Sequence, residues 1–177
     1  MYKFLLSHRA VLICIVIAWP LSASAVGQYQ FGNFLVTVAP DTSSVLSGAD
    51  YQVTVETEEL IVSRLTAPYG GTLSNSFVDD LDGDGEFEVV ITFSYPEGQE
   101  STVHLYSWSE YLLEPVRVAH LDAVQSEGYR GNDEYAVQNG RLIRMFQVYE
   151  QVGGEWSPTA EWRRLHYAPG QSRWTTE

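Results

Sequence analysis

The chain has 177 residues, of which 23 are Asp or Glu and 10 are Lys or Arg, so its formal net charge at pH 7 is -13. A surface this acidic repels phosphate backbones, which argues against nucleic acid as a partner, and it attracts cationic partners. Cys14 is the only cysteine, so the chain cannot form an internal disulfide.

The first 25 residues predict a secretion signal. Lys3 and Arg9 give a basic start, residues 10–19 form an apolar run, and the small residues 23–25 (Ala-Ser-Ala) suit a signal peptidase. We expect cleavage before Val26. An uncleaved anchor is the alternative, but the apolar run is short for a membrane span, and no later segment resembles one.

The predicted mature chain, residues 26–177, is a single domain without cysteine. Loss of Lys3 and Arg9 with the signal leaves 8 basic and 23 acidic residues, a net charge of -15, and all eight bases are arginine. A chain of this size buries about 70% of its unfolded surface, so its core can stabilise it without disulfides.

Short β-prone runs alternate with turn residues along the mature chain, and no long segment has helical periodicity. This pattern predicts an all-β fold, an antiparallel β-sandwich or open barrel of about eight strands with at most one short helix, which 121–128 could form. Asn139-Gly140 predicts a type I′ hairpin turn, and Pro115 indicates an edge strand or a strand start. The predicted strands are 33–39, 51–57, 60–66, 87–94, 102–108, 114–121, both arms of the 134–150 hairpin, 161–168 and a strand near Trp174.

An acidic loop in FVDDLDGDGEFEVVI (77–91) has the spacing of a calcium loop. Its carboxylates fall at loop positions 1, 3, 5 and 9, which are Asp80, Asp82, Asp84 and Glu88. Gly85 at position 6 permits a sharp bend, and oxygen ligands at such spacing suit Ca²⁺. Position 12 is Ile91 rather than Glu, so the loop is not an EF-hand; it is similar to the calcium loops of FG-GAP β-propellers, in one copy. A metal-free turn remains open, because Asp and Gly also dominate tight turns.

Catalytic motifs are sparse. His104, His120 and His166 are far apart in sequence and lack zinc-site spacing. The mature chain has neither a nucleophilic cysteine nor a Gly-x-Ser-x-Gly motif. We therefore expect a binding protein rather than an enzyme.

Three segments, in order, resemble the periplasmic inhibitors of invertebrate-type (I-type) lysozyme. They are FVDDLDGDGEFEVVITFSYPEGQESTVHLYSW (77–108), VQNGRLIRMFQVYE (137–150) and SPTAEWRRLHYAPG (157–170). The resemblance implies a periplasmic homodimer that inserts a loop into the active-site cleft of a lysozyme. The corresponding loop, which the resemblance makes the partner-binding site, comprises Ser94, Tyr95, Pro96, Glu97, Gly98, Gln99, Glu100 and Ser101.

This loop departs from the family at Glu97 and Glu100, which stand where the family has a Ser and a Tyr. A lysozyme cleft works with two acidic side chains, and like charges brought together at an interface repel. The alternative function, which the acidic loop of spacing 1-3-5-9 and the many aromatic residues favour, is a calcium-stabilised, non-enzymatic β-module of the periplasm that binds glycan or an envelope protein.

The signal sequence generates a direct prediction. We expect the intact mass of protein isolated from the periplasm to correspond to a chain that begins at Val26. A membrane-bound form that retains Met1 would contradict this expectation.

Overall fold

The structure, a computed structural model, describes residues 27–41, 50–58, 60–96 and 99–176. The predicted signal over residues 1–25 lies outside these ranges, as do Glu97 and Gly98 of the predicted partner-binding loop.

The described residues form twelve strands and one 3-10 helix, so the all-β prediction is confirmed. All strands pair antiparallel, in three four-stranded sheets. The elements are β1 (Gly27–Phe31), β2 (Phe34–Asp41), β3 (Asp50–Thr57), β4 (Leu60–Pro68), β5 (Thr72–Asp79), β6 (Glu88–Ser94), β7 (Thr102–Ser109), β8 (Leu112–Val116), β9 (Glu134–Val137), β10 (Leu142–Val152), β11 (Glu155–Ala168), the 3-10 helix η1 (Pro169–Gln171) and β12 (Arg173–Thr176).

Each sheet is a meander of four consecutive strands. The first sheet is β1–β4, the middle sheet β5–β8 and the third sheet β9–β12. The leading strands are neighbours, with β1 against β5 and β5 against β9. Consecutive four-stranded sheets arranged in this way resemble successive blades of a β-propeller.

The middle sheet is buried on both faces, and β6 is its most buried strand. Val89, Ile91 and Phe93 pack against the first sheet, whereas Val90 belongs to the core shared with the third sheet. Successive side chains of a strand point to opposite faces, so a run such as VVITF, apolar except for the buried Thr92, suits a strand covered on both sides. The fold thus has three layers, one more than a sandwich.

The structure has twelve strands, two more than the ten segments predicted from the sequence, because β1 and β5 were not recognised. The sequence of β5, TLSNSFVD, is rich in Ser and Asn, which strands disfavour or use sparingly. Tertiary contacts hold it: β5 pairs with β6 along its length, and the Tyr29 hydroxyl of β1 lies 2.9 Å from Ser76 Oγ. The strand predicted over 114–121 is β8 and ends at Val116, and 121–128 forms turns rather than a helix.

Two turn-level predictions are confirmed. Asn139 and Gly140 have φ values of 54° and 66°, and Gln138 and Arg141 exchange both backbone hydrogen bonds (2.9 and 3.1 Å), as a type I′ hairpin turn requires. Pro115 lies in β8, which is an edge strand of the middle sheet, so its missing N–H interrupts no ladder.

Candidate functional site

The acidic loop connects β5 to β6 at one end of the middle sheet. Asp80 follows the last residue of β5, and Glu88 is the first residue of β6. Gly83 and Gly85 have φ values of 83° and 90°, a backbone region that side chains disfavour. The two glycines therefore allow the chain to curl around Asp80.

Carboxylates within the loop accept hydrogen bonds from its own backbone. Asp80 Oδ1 accepts from the Gly83 N–H (2.6 Å) and Asp80 Oδ2 from the Gly85 N–H (3.0 Å). Asp84 Oδ1 accepts from the Glu86 N–H (2.8 Å). These bonds hold the loop as a turn without any bound ion, which is the structural role that Asp and Gly often have.

Three of the four predicted ligands come together. Asp80, Asp82 and Glu88 each place a carboxylate oxygen within 4.8 Å of the others. Asp84 does not join this cluster, in contrast to the predicted ligand set, since its carboxylate turns toward the Glu86 N–H. The predicted four-ligand set is thus a three-carboxylate cluster in the structure.

Glu88 is the buried member of the cluster, with 4% of its surface exposed. Glu88 Oε2 accepts the Leu81 N–H (2.8 Å), and Glu88 Oε1 accepts the Ser107 hydroxyl (3.2 Å). Burial raises the pKa of Glu88 to about 7; the Leu81 hydrogen bond opposes this rise, and the charge of Asp82 adds to it. Two nearby carboxylates and little water make the ionised form of Glu88 costly.

The cluster fits a hard divalent cation. Ca²⁺ takes six to eight oxygen ligands in flexible geometry, and each carboxylate retains lone pairs beyond those used by the backbone N–H groups. Asp80, Asp82 and Glu88 would hold the ion, which would offset the repulsion among them. The loop also forms a complete turn through its own hydrogen bonds, so the geometry is compatible with a calcium loop and with a metal-free turn.

The predicted partner-binding loop lies at the opposite end of β6, between β6 and β7. Ser94 and Gln99 are exposed, and the Gln99 N–H donates to the Pro96 carbonyl (3.1 Å). Tyr95 is half-buried, not an exposed aromatic at the tip. It packs against the core between the first and middle sheets, and its hydroxyl lies 3.2 Å from Thr102 Oγ1.

Glu100 points inward at the base of this loop. Its Oε1 pairs with Arg144 Nη1 (3.1 Å) and accepts the Leu121 N–H (3.2 Å), and its Oε2 lies 3.2 Å from His120 Nδ1. The next residue, Ser101, is buried and donates its N–H to the Tyr129 hydroxyl (3.0 Å). Glu100 and Ser101 therefore anchor the loop, and the described surface that the loop presents comes from Ser94, Pro96, Gln99 and the outer edge of Tyr95.

Arg144 is the buried cation on which this anchor depends. It is 2% exposed, and its Nε binds Asp133 Oδ1 at 2.5 Å, a carboxylate with a fully buried side chain. Four aromatic rings surround its guanidinium at 5.4–5.9 Å from Cζ, and they belong to Tyr129, Tyr135, Phe146 and Trp174. Delocalised guanidinium groups tolerate such aromatic surroundings better than ammonium groups do.

The three histidines in the described part of the chain have structural or surface positions. His104 Nδ1 lies 2.8 Å from the Tyr51 hydroxyl, and burial lowers the pKa of this imidazole. His120 is exposed beside Glu100, and His166 Nε2 lies 2.7 Å from Thr175 Oγ1. Each of these imidazoles thus has a different polar neighbour: Tyr51, Glu100 or Thr175.

The sequence analysis did not single out Arg144 as a functional or structural residue. Leu142, Arg144 and Phe146 alternate along β10 and are all buried. The two-residue periodicity of a strand was therefore the sequence signal that could have placed Arg144 on the inward face. Arg163 donates from Nη1 to the carbonyls of Val124, Gln125 and Glu127. Nothing local in the sequence points to that contact.

No protein-family model, curated protein or solved structure matches this chain. Within the described residues, no helix has the length and apolar character that crossing a membrane requires.

The carboxylate cluster generates a calcium prediction. We expect millimolar Ca²⁺ to raise the melting temperature, because an ion that binds only the folded state stabilises it by about 2.7 kcal/mol at 100 times its Kd. Asp82→Asn should abolish the shift measured by differential scanning fluorimetry, whereas Asp84→Asn should retain most of it.

An unchanged melting temperature of the wild type with calcium would leave the loop as a metal-free turn. Equal losses in the two variants would instead restore Asp84 to the ligand set.

The buried guanidinium generates a stability prediction. Arg144→Met should lower the free energy of unfolding by about 3–5 kcal/mol, because it leaves Asp133 as an uncompensated buried charge. The exposed Arg173→Met is the matched control and should change it by less than about 0.5 kcal/mol. Urea denaturation measures both, and equal effects would contradict the structural role of Arg144.

Proposed function

We propose that this protein is a periplasmic binding protein that occludes the active-site cleft of a lysozyme with its β6–β7 loop, residues 94–101. The resemblance of three segments between residues 77 and 170 to inhibitors of I-type lysozyme indicates an I-type lysozyme as the partner. The predicted homodimer and the absence of enzymatic activity belong to the same proposal.

The anchored base of the loop is the observation that supports this proposal. Glu100 is tied to Arg144, Ser101 to Tyr129, and Tyr95 to Thr102. A loop held at both ends loses less conformational freedom on binding, which raises affinity without adding contacts.

The position of Glu100 also reduces the like-charge repulsion that the sequence predicts between this loop and an acidic lysozyme cleft. An acidic residue presented to a lysozyme cleft would face two further carboxylates. Glu100 instead pairs with Arg144 beneath the loop. The predicted repulsion is then confined to Glu97.

The overall charge favours a cationic partner. A net charge of -15 on the mature chain would speed encounter with a basic enzyme and make the association sensitive to salt. Charge alone does not select a lysozyme, so the selection rests on the resemblance and the loop.

Inhibition titrations with I-type, C-type and G-type lysozymes test the proposal. We expect the wild type to inhibit one of them, and the double variant Ser94→Ala/Gln99→Ala to weaken inhibition by at least about tenfold, as loss of central contacts does. Gln151→Ala, exposed at the β10–β11 hairpin, is the control and should inhibit like the wild type. Absence of inhibition of all three enzymes at micromolar protein would overturn the proposal.

Two single substitutions separate anchoring from direct contact. Glu100→Gln should weaken inhibition, because it loosens the loop from Arg144, whereas Glu97→Gln should tighten binding to an acidic cleft. Tighter inhibition by Glu100→Gln would mean that this carboxylate faces the partner.

The second candidate function is a calcium-stabilised β-module that binds glycan or an envelope protein. The cluster of Asp80, Asp82 and Glu88 favours it. Glycan or envelope-protein binding that disappears on calcium chelation, together with no lysozyme inhibition, would select this function over the first.

A further inference from the structure

An aromatic cleft of about 330 Å³ lies between the tips of three connections. It is bounded by the β1–β2 turn, the end of the acidic loop and the β7–β8 turn. This volume falls at the lower end of the range for small-molecule sites. The five aromatic residues that line it are Phe31, Phe34, Phe87, Trp108 and Tyr111.

Phe87 and Trp108 stack nearly parallel (5.2 Å, 11°), whereas the rings around them meet at steeper angles. Phe34 lies edge-on to Trp108 (centroids 5.2 Å apart, 63°) and to Tyr111 (6.4 Å, 74°), and Trp108 and Tyr111 lie 6.1 Å apart at 81°. Phe87 and Trp108 are buried and form the floor, whereas Tyr111 is 61% exposed and forms a wall. Rings set at steep angles can direct more than one π face, the electronegative part of the ring, toward the same ligand group.

Two carboxylates complete the lining. Glu86 and Glu110 lie in the cleft beside the aromatic rings. Among the described residues that line the cleft, none carries a positive charge and none is a Ser, Thr, Asn, Gln or His. The surroundings thus attract a cation and offer few hydrogen-bonding partners apart from the two acids.

The backbone of the β7–β8 turn is strained where it presents this wall. Ser109 pairs with Leu112, so Glu110 and Tyr111 alone form the turn. Their φ values are 49° and 66°, and such a type I′ turn favours Asn-Gly, whereas side chains such as Glu and Tyr disfavour it. Strain of this kind concentrates at ligand sites, and here it holds one acid and one aromatic ring at the cleft.

We propose that this aromatic cleft binds a small organic cation of the quaternary ammonium class. Aromatic faces attract such cations electrostatically, and aromatic cages are a known means of recognising them. A quaternary nitrogen has no N–H groups to satisfy, whereas a primary ammonium has three donors that an aromatic wall leaves unpaired. Glu86 and Glu110 supply the balancing charge.

The site is independent of the lysozyme proposal. The cleft lies at the Glu88 end of β6 and the β6–β7 loop at the Ser94 end, which a seven-residue strand separates by roughly 20 Å. Binding at one end therefore neither requires nor excludes binding at the other.

Isothermal titration calorimetry with choline tests the assignment. We expect a Kd on the order of 1 mM or below, and about tenfold weaker binding of the neutral isostere in which carbon replaces the choline nitrogen. Glu86→Gln/Glu110→Gln should weaken choline binding, whereas Glu114→Gln, an exposed acid on β8, should not. No binding of choline at up to about 50 mM, equal binding of the neutral isostere, or tighter binding of methylammonium would overturn the proposal.

A turn replacement separates loss of the site from loss of the fold. Glu110→Asn/Tyr111→Gly installs the preferred type I′ residues, so it should raise the melting temperature while abolishing choline binding. Trp162→Ala, which removes an exposed aromatic from β11, should leave choline binding unchanged. Choline binding retained by the turn variant would show that the cleft is not the site.

Discussion

The burial of β6 on both faces is the constraint on which the rest of the structure depends. Val89, Ile91 and Phe93 bury one face of β6 against the first sheet, and Val90 on the other face belongs to the core shared with the third sheet, beside the buried Glu88 and Thr92. Since a single cysteine cannot form an internal disulfide, the two cores that meet at the middle sheet must provide the stability. The loops at the two ends of the middle sheet are consequently held between the first sheet and the third sheet.

The two ends of the middle sheet have different chemistry. At the Glu88 end, the acidic loop lies beside the β9–β10 hairpin, close enough that a Cβ on Gly140 would meet the Asp80 carbonyl at 3.0 Å. The aromatic cleft lies at this same end, and the hydrogen bond from Glu86 N–H to Asp84 connects the two features. The Ser94 end instead carries the loop anchored on Arg144. The middle sheet thus separates the acidic loop and the aromatic cleft, which both attract cations, from the proposed protein-binding loop.

Most of the strands could be predicted from the sequence, because alternating or continuous apolar runs and Asn-Gly turns are local signals. The acidic loop could also be predicted, because its signal lies in neighbouring residues, and three of its four predicted ligands lie together in the structure. The strand β5 could not be predicted, since its sequence is polar and it is held by β6 and Tyr29 rather than by its own propensity. The cleft was missed for a related reason: Phe31, Phe87 and Tyr111 are far apart in sequence, and the sheet packing that joins them has no local signature. The inward turn of Glu100 likewise depends on Arg144, which lies 44 residues away.

The central claim is that the loop at the Ser94 end is the protein-binding surface, separate from the features at the Glu88 end. Amide hydrogen exchange of this protein, with and without a saturating lysozyme, tests the claim most directly. The account predicts increased protection in peptides that cover residues 94–101, with unchanged exchange in residues 80–87 and 109–112. Protection confined to residues 80–87 or 109–112, or no change at residues 94–101, would contradict it.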